Sequence, residues 1–168
     1  MSDIFTIIPA TEFRNTDQVQ FHFIPLFENL KGMDLVKHGE NAISPGTIGE
    51  TERPWYMHPH QIDNLIVFIG TRYVDLFLEG DKEISSLEVT PEKIIKDGKL
   101  LYEGPAVLSW GTNVFHRIKS GAEGSYSLNF AVREEGFDIK NNFNIYDLNT
   151  KTGEYKVVRD GFKDQKNA

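Results

Sequence analysis

The chain has no cysteine among its 168 residues. Disulfides therefore cannot staple it, and any metal it holds must be bound by imidazole, carboxylate or amide groups. Positive charge is also scarce: 18 Lys and Arg stand against 25 Asp and Glu, a formal net charge of -7. That balance repels phosphate backbones and anionic membrane surfaces, and no basic cluster offsets it, so no nucleic acid and no membrane is expected as a partner. No apolar run approaches the length that spans a bilayer. The leading residues, Met-Ser-Asp-Ile-Phe, carry an acid where a signal peptide carries a base; a cytoplasmic location is the expectation. Fixed-period repeats, low-complexity tracts and interdomain linkers are absent as well.

What is present is globular: 39% hydrophobic, 26% charged and 12% aromatic residues, with 12 phenylalanines. This length predicts one domain, 1–168, that buries a core unaided. Strand-length segments follow one another along it. Ile4 to Ile8 and Phe21 to Ile24 each run into a proline, and His22 fits the polar face of an edge strand. Leu35 to Pro45 has the composition of a surface loop, with His38 exposed in it. Leu65 to Ile69 is a continuous apolar, β-branched run, as in a strand covered on both faces, and Gly70 is read as its end. Thr71 to Leu78 is then its hairpin partner. Ser86 to Val89 is one more strand, and Thr90-Pro91-Glu92 has the form of a helix start that stops near Asp97-Gly98.

Further on, Ala106 to Trp110 reads as an apolar strand, Gly111 to Asn113 as a turn, and Val114 to Ile118 and Ser125 to Val132 as two more strands. Phe143 to Leu148 and Tyr155 to Val158 form a C-terminal β-hairpin, at about 137–162, added after a motif-bearing core at about 45–135. Residues from Lys163 to Ala168 are expected to be disordered.

The chemistry is concentrated between Trp55 and Gly70. His58 and His60 are two apart, so on an extended strand both side chains leave one face, as when one strand offers a metal a pair of imidazoles. His116 opens a later strand beside a turn and can point inward next to them. Three neutral imidazoles leave open coordination positions, which is what a catalytic metal needs for water, oxygen or a chelating substrate. Tyr56 and Trp110, with Trp55, are candidates for the pocket mouth, and Asn129 for its wall. Arg72 and Arg117 could take a substrate carboxylate or phosphate bidentately, surface salt bridges being the competing use of both.

His58-Pro59-His60, followed by Asp63 and by Gly70, together with Gly111, Asn113 and His116, resembles the two motifs of the cupin superfamily. The resemblance covers about Pro54 to Val132. It departs from the pattern at Glu52, which stands where the family has a glycine, and at Ser120, in place of its final asparagine. It implies an all-β fold, a single small antiparallel jelly-roll β-barrel with a metal near one mouth. The ion would be a divalent transition metal: iron, manganese, nickel or zinc, with copper also suited to such ligands. Asp63 keeps the family's seven-residue distance to the glycine, but counting from the second histidine lands on Asn64 or Leu65. The fourth ligand is therefore Asp63 or Asn64, or Asp63 acts from behind a three-histidine site by orienting an imidazole.

The functional expectation is a metal-dependent enzyme acting on a small organic substrate, with dioxygenase-type or isomerase/lyase-type chemistry. The alternative is a non-catalytic module that binds or senses a sugar or similar ligand. A homodimer is expected, because sandwiches of this kind bury exposed sheet edges by pairing.

Overall fold

The structure, a computed structural model, describes residues 4–25 and 27–165. Its strands are β1 (Phe5–Pro9), β2 (Thr11–Thr16), β3 (Val19–Phe23), β4 (Leu30–His38), β5 (Ile43–Ser44), β6 (Trp55–Tyr56), β7 (Gln61–Phe77) and β8 (Ser85–Val89). They continue as β9 (Lys93–Lys96), β10 (Lys99–Glu103), β11 (Ala106–Trp110), β12 (Phe115–Arg133), β13 (Ile145–Leu148) and β14 (Tyr155–Arg159). One helical turn, α1 (Ile139–Asn142), precedes β13, and a 3-10 turn, Gly161–Asp164, follows β14. The fold is the expected all-β one, a large antiparallel sheet closed as a jelly-roll barrel.

Two long strands organise it. β7 and β12 pair antiparallel from Phe115↔Phe77 at one end to Arg133↔Gln61 at the other, and both bend midway. The first half of β7 pairs with β11, which pairs with β1, while the second half of β12 pairs with β4. Beyond the bend the partners change: the second half of β7 carries β8, β9 and β10, and the first half of β12 carries β5 and β6. The two halves thus lie in opposing walls, and apolar side chains from both fill the space between. Leu65 and Val67 meet Val74, Leu76, Leu87, Val89, Ile94 and Leu108. Burial of each such side chain contributes about 1.5–3 kcal/mol. A second cluster of Trp55, Met57, Phe77, Phe115 and Tyr146 closes the β6 side.

The bend explains the main departures from the sequence reading. Gly70 does not end its strand; its φ of 74° turns β7 while pairing continues, so the segment from Thr71 prolongs the same strand to Phe77 and is not a hairpin partner. Val114 to Ile118 and Ser125 to Val132 are likewise joined in β12 through a register shift between Ser120 and Ser125, where Gly124 also has a φ of 74°. Thr90-Pro91-Glu92 starts no helix. Its Thr90 Oγ1 does accept from the Glu92 and Lys93 N–H groups, as a cap would, but Asp97 (φ 50°) and Gly98 (φ 76°) close a tight hairpin between β9 and β10. The supposed loop at Leu35 is part of β4, paired with β12 over Leu30 to His38.

The C-terminal hairpin exists as β13 and β14, but β13 also pairs with β6, so it extends the barrel wall. The expectation for Lys163 to Ala168 fails at its start, where Lys163 and Asp164 belong to the 3-10 turn; 166–168 lie outside the described residues. β2 and β3 pair only with each other and leave Phe13, Phe21 and Phe23 exposed. Among the described residues no helix is long and apolar enough to cross a membrane.

A Cβ at Gly70 would run into the backbone carbonyl oxygen of Gly124, and its positive φ adds strain. Gly70→Ala is expected to cost about 3 kcal/mol or more in urea unfolding. Gly98→Ala, where a Cβ meets nothing, should cost only the strain of its positive φ, about 1 kcal/mol. Equal losses would remove the close approach at the bend as the cause.

Candidate active site

Asp63 is the third residue of β7 and points into the barrel with 2% of its surface exposed. Its Oδ1 accepts from Gln61 Nε2 at 2.9 Å and from Asn129 Nδ2 at 2.8 Å. The other oxygen, Oδ2, faces His58 Nε2 at 3.4 Å and His116 Nε2 at 3.7 Å. His116 comes from the half of β12 in the opposite wall, so the bend of the two long strands is what brings it over Asp63. One ligand-type atom from each of His58, Asp63 and His116 lies within 4.8 Å of the others.

Both imidazoles are oriented from behind. His58 Nδ1 lies 2.5 Å from the Asn142 backbone oxygen, and His116 Nδ1 lies 3.2 Å from that of Val114. A carbonyl oxygen only accepts, so in each ring Nδ1 carries the proton, and in the neutral ring Nε2 offers a lone pair. Burial, together with the neighbouring His58, pushes His116 down to about 4 against the pull of Asp63. Burial alone would raise Asp63, but the facing His58 and His116 and the hydrogen bonds from Asn129 and Gln61 hold its carboxyl below the usual range. At neutral pH the cluster thus contains a carboxylate and a neutral His116.

The rings around it are aromatic. Trp110 stands 5.2 Å and Tyr56 5.8 Å from His116 by ring centroids, and Phe143 stands 5.1 Å from His58. They wall a cavity of about 230 Å³ that all three cluster residues line. Tyr56, Arg72, Trp110 and Asn129, the residues expected to meet a substrate, line it too.

His60 is not in the cluster. His58, Pro59 and His60 lie in the connection between β6 and β7, with Pro59 and His60 in a turn, so the strand alternation that would put both rings on one face never applies. The His60 N–H donates to Asn142 Oδ1, and its ring packs beside Gly136. Asn64, the alternative fourth ligand, is turned away from Asp63 by that same alternation and donates to the Phe130 backbone oxygen.

Arg72 forms no surface salt bridge. It is 2% exposed and donates to Ser125 Oγ and the Val36 carbonyl. Arg117 does pair with Asp75 at 2.8 Å, and its guanidinium lies 4.1 Å from the Trp55 ring, which belongs to the core. His38 is not exposed either; it is half-buried at the end of β4 and lines the cavity.

Several residues of the site escaped sequence reasoning. Gln61 was legible, being two before Asp63 on the same strand face. Asn142, which holds both His58 and His60, lies 84 positions from the former, and no local pattern links them. Asp34, Phe143, Asp164 and Gln165 also reach the cavity, Phe143 from the start of the expected hairpin and Asp164 and Gln165 from the expected disordered tail.

No family model matches this chain, and no curated protein matches it in sequence. Solved structures do resemble it. A dTDP sugar isomerase from Desulfovibrio desulfuricans G20 superposes with a TM-score of 0.56 at 10% identity, covering 80% of this chain and 81% of that one. QdtA, a sugar 3,4-ketoisomerase from Thermoanaerobacterium thermosaccharolyticum in complex with TDP, gives 0.54 at 16% identity over 82% and 85% of the two chains. For a 3,4-ketoisomerase from Helicobacter canadensis the values are 0.53 and 15%, over 83% and 88%. At such identities the likeness shows a shared fold, and this chain has the barrel of those proteins.

Proposed function

We propose that the chain is a cupin-type, metal-dependent enzyme that acts on a small organic molecule in the barrel cavity. His58, Asp63 and His116 would hold a divalent transition metal, iron, manganese, nickel or zinc. The observation that carries this reading is the convergence of two imidazole Nε2 atoms and one carboxylate oxygen, all buried, on one point. With Nδ1 of each ring held by a carbonyl, Nε2 of each is the atom turned toward Asp63 Oδ2, and a cation held among the three would be attracted by the carboxylate and by the ring lone pairs. The Nδ1 contacts to backbone carbonyls are those by which proteins orient metal-binding histidines. Two histidines and a carboxylate suit such an ion and leave positions open for a ligand.

When bound, the ion would polarise a carbonyl or hydroxyl oxygen of a chelating substrate. The chain supplies the rest. Gln61 and Asn129 fix Asp63 so that its free oxygen faces the two rings. Burial raises the pKa of the Tyr56 phenol, which keeps its proton and can donate to a substrate oxygen. Trp110 Nε1 is buried with no partner and is a second donor on the wall. Isomerase- or lyase-type chemistry is favoured over dioxygenase chemistry by the fold likeness to sugar isomerases. A non-catalytic sugar-binding module is the second reading, favoured by the Tyr56, Trp110 and Phe143 rings around the cavity. The expected homodimer draws support from Met33 and Leu35, 62% and 68% exposed on the outer face of β4.

Elemental analysis of protein purified from metal-replete medium is expected to find close to one first-row transition metal per chain. His58→Ala, Asp63→Asn and His116→Ala should each lose it, and His60→Ala should keep it. Metal-free wild type that takes up none on addition would overturn the proposal and leave the binding module. Asn129→Ala, which frees the Asp63 carboxylate to turn, should weaken metal affinity by roughly 10–100-fold in chelator competition; unchanged affinity would remove Asn129 from the metal's support.

A further inference from the structure

Arg72 is the one Arg or Lys among the described residues lining the cavity, and it lies just past the bend at Gly70, whereas Asp63 lies seven residues before it. Its guanidinium is buried, yet the groups it donates to, Ser125 Oγ and the Val36 carbonyl, are both neutral. No carboxylate among the described residues pairs with it. Burial lowers it only to about 10, so it stays charged at neutral pH. A buried cation without an anion is expensive, and structures keep one where a ligand completes the pair.

A second unsatisfied group lies beside it. His38 also lines the cavity, and its Nδ1 is buried with no hydrogen-bond partner. Burial and the nearby Arg72 push His38 down to about 4, so it is a neutral ring with a nitrogen to offer and adds no charge. β4 brings the two together, because His38 pairs with Ser125, the residue Arg72 holds, and Val36 supplies the carbonyl.

The rest of the wall leans to the opposite sign: Asp34 and Asp63 line the cavity, as does Asp164, whose carboxylate is paired with Arg159. A ligand carrying several negative charges meets the carboxylates of Asp34 and Asp63 as well as one guanidinium, whereas a single carboxylate has one matched place. The cavity, about 230 Å³, is also smaller than the roughly 300–1,000 Å³ of drug-sized sites.

We propose that Arg72 and His38 form an oxyanion subsite at the bend, and that the ligand of this cavity is a small organic acid. Its carboxylate meets the Arg72 guanidinium while its other end reaches His58, Asp63 and His116. This rests on taking the cavity as the substrate site, but not on any ion being bound there. The chemistry recognised is an oxyanion; carboxylate is favoured over phosphate by the charge of the wall.

The test is equilibrium binding to the full chain, as purified and after EDTA treatment. Acetate, pyruvate, malonate and salicylate are compared with inorganic phosphate and thymidine diphosphate, against sodium chloride at equal ionic strength. At least one carboxylate is expected to raise the melting temperature above the chloride control in both preparations, and Arg72→Met should weaken its binding tenfold or more by calorimetry. A measurement on wild type guards against a variant that fails to fold: the Arg72 Nε–Hε resonance of 15N-labelled protein, identified by its absence in Arg72→Lys, should shift when that carboxylate is added. The proposal is overturned if no carboxylate stabilises the protein, if Arg72→Met binds within twofold of wild type, or if the resonance does not move. Tighter, Arg72-dependent binding of phosphate or thymidine diphosphate would overturn the carboxylate assignment. Protein that purifies without metal and takes none up, yet binds a carboxylate through Arg72, would sink the metalloenzyme reading and leave this subsite standing.

Discussion

The pairing of β7 with β12 through their shared bend is the constraint on which the cavity depends. Each strand contributes its first half to one wall and its second half to the other, and the hydrogen-bonded register between them holds except at the shift that makes the turn and at a second one between Tyr126 and Ser127. Asp63 and Asn129 therefore come from one wall, and His116 from the opposite one. A slip of one residue in this pairing would reverse every side chain along the affected half. It would exchange Asp63 for Asn64 inside the barrel and break the contact with His116. The apolar cluster of Leu65, Val67, Val74, Leu76 and Leu108 opposes such a slip, because the same slip would expose it. Core and site are held in register by the same forces.

Within that frame the cavity has two electrostatic ends, Asp63 and Arg72, on one continuous strand, β7. Around Asp63 two rings turn Nε2 toward the carboxylate, because the far nitrogen of each is engaged by a carbonyl. By the bend, Arg72 is a donor without an anion. Neither end is relieved by the protein itself, and each is costly to bury. A core built for stability alone would have filled these positions with apolar side chains.

Much of the barrel was legible, because strand composition and alternation are local properties. Ala106 to Trp110 and Ser86 to Val89 appear nearly as read; His116 was identifiable because it opens a strand, and Asp63 through the motif that the sequence resembles. What failed was the reading of glycine. At Gly70 and Gly124 a positive φ looks from sequence like the end of a strand, but here it serves a bend through which pairing continues. His60 failed for a related reason: two-residue alternation holds only where the backbone is extended, and Pro59 introduces a turn. His38 was read as a surface group because its neighbours are polar, and Arg72 as either a substrate group or a surface salt bridge; only the closed sheet shows both lining the cavity.

The segment after β12 has a consequence for how the protein is made. The carbonyl that orients the His58 ring and the side chain that anchors the His60 N–H both belong to Asn142, whereas the rest of the cluster is complete by His116. A nascent chain that ends at β12 would carry all three cluster residues but lack the group that orients His58. That group arrives with α1, ahead of β13 and β14, so the ring is set only as the last part of the wall is being made.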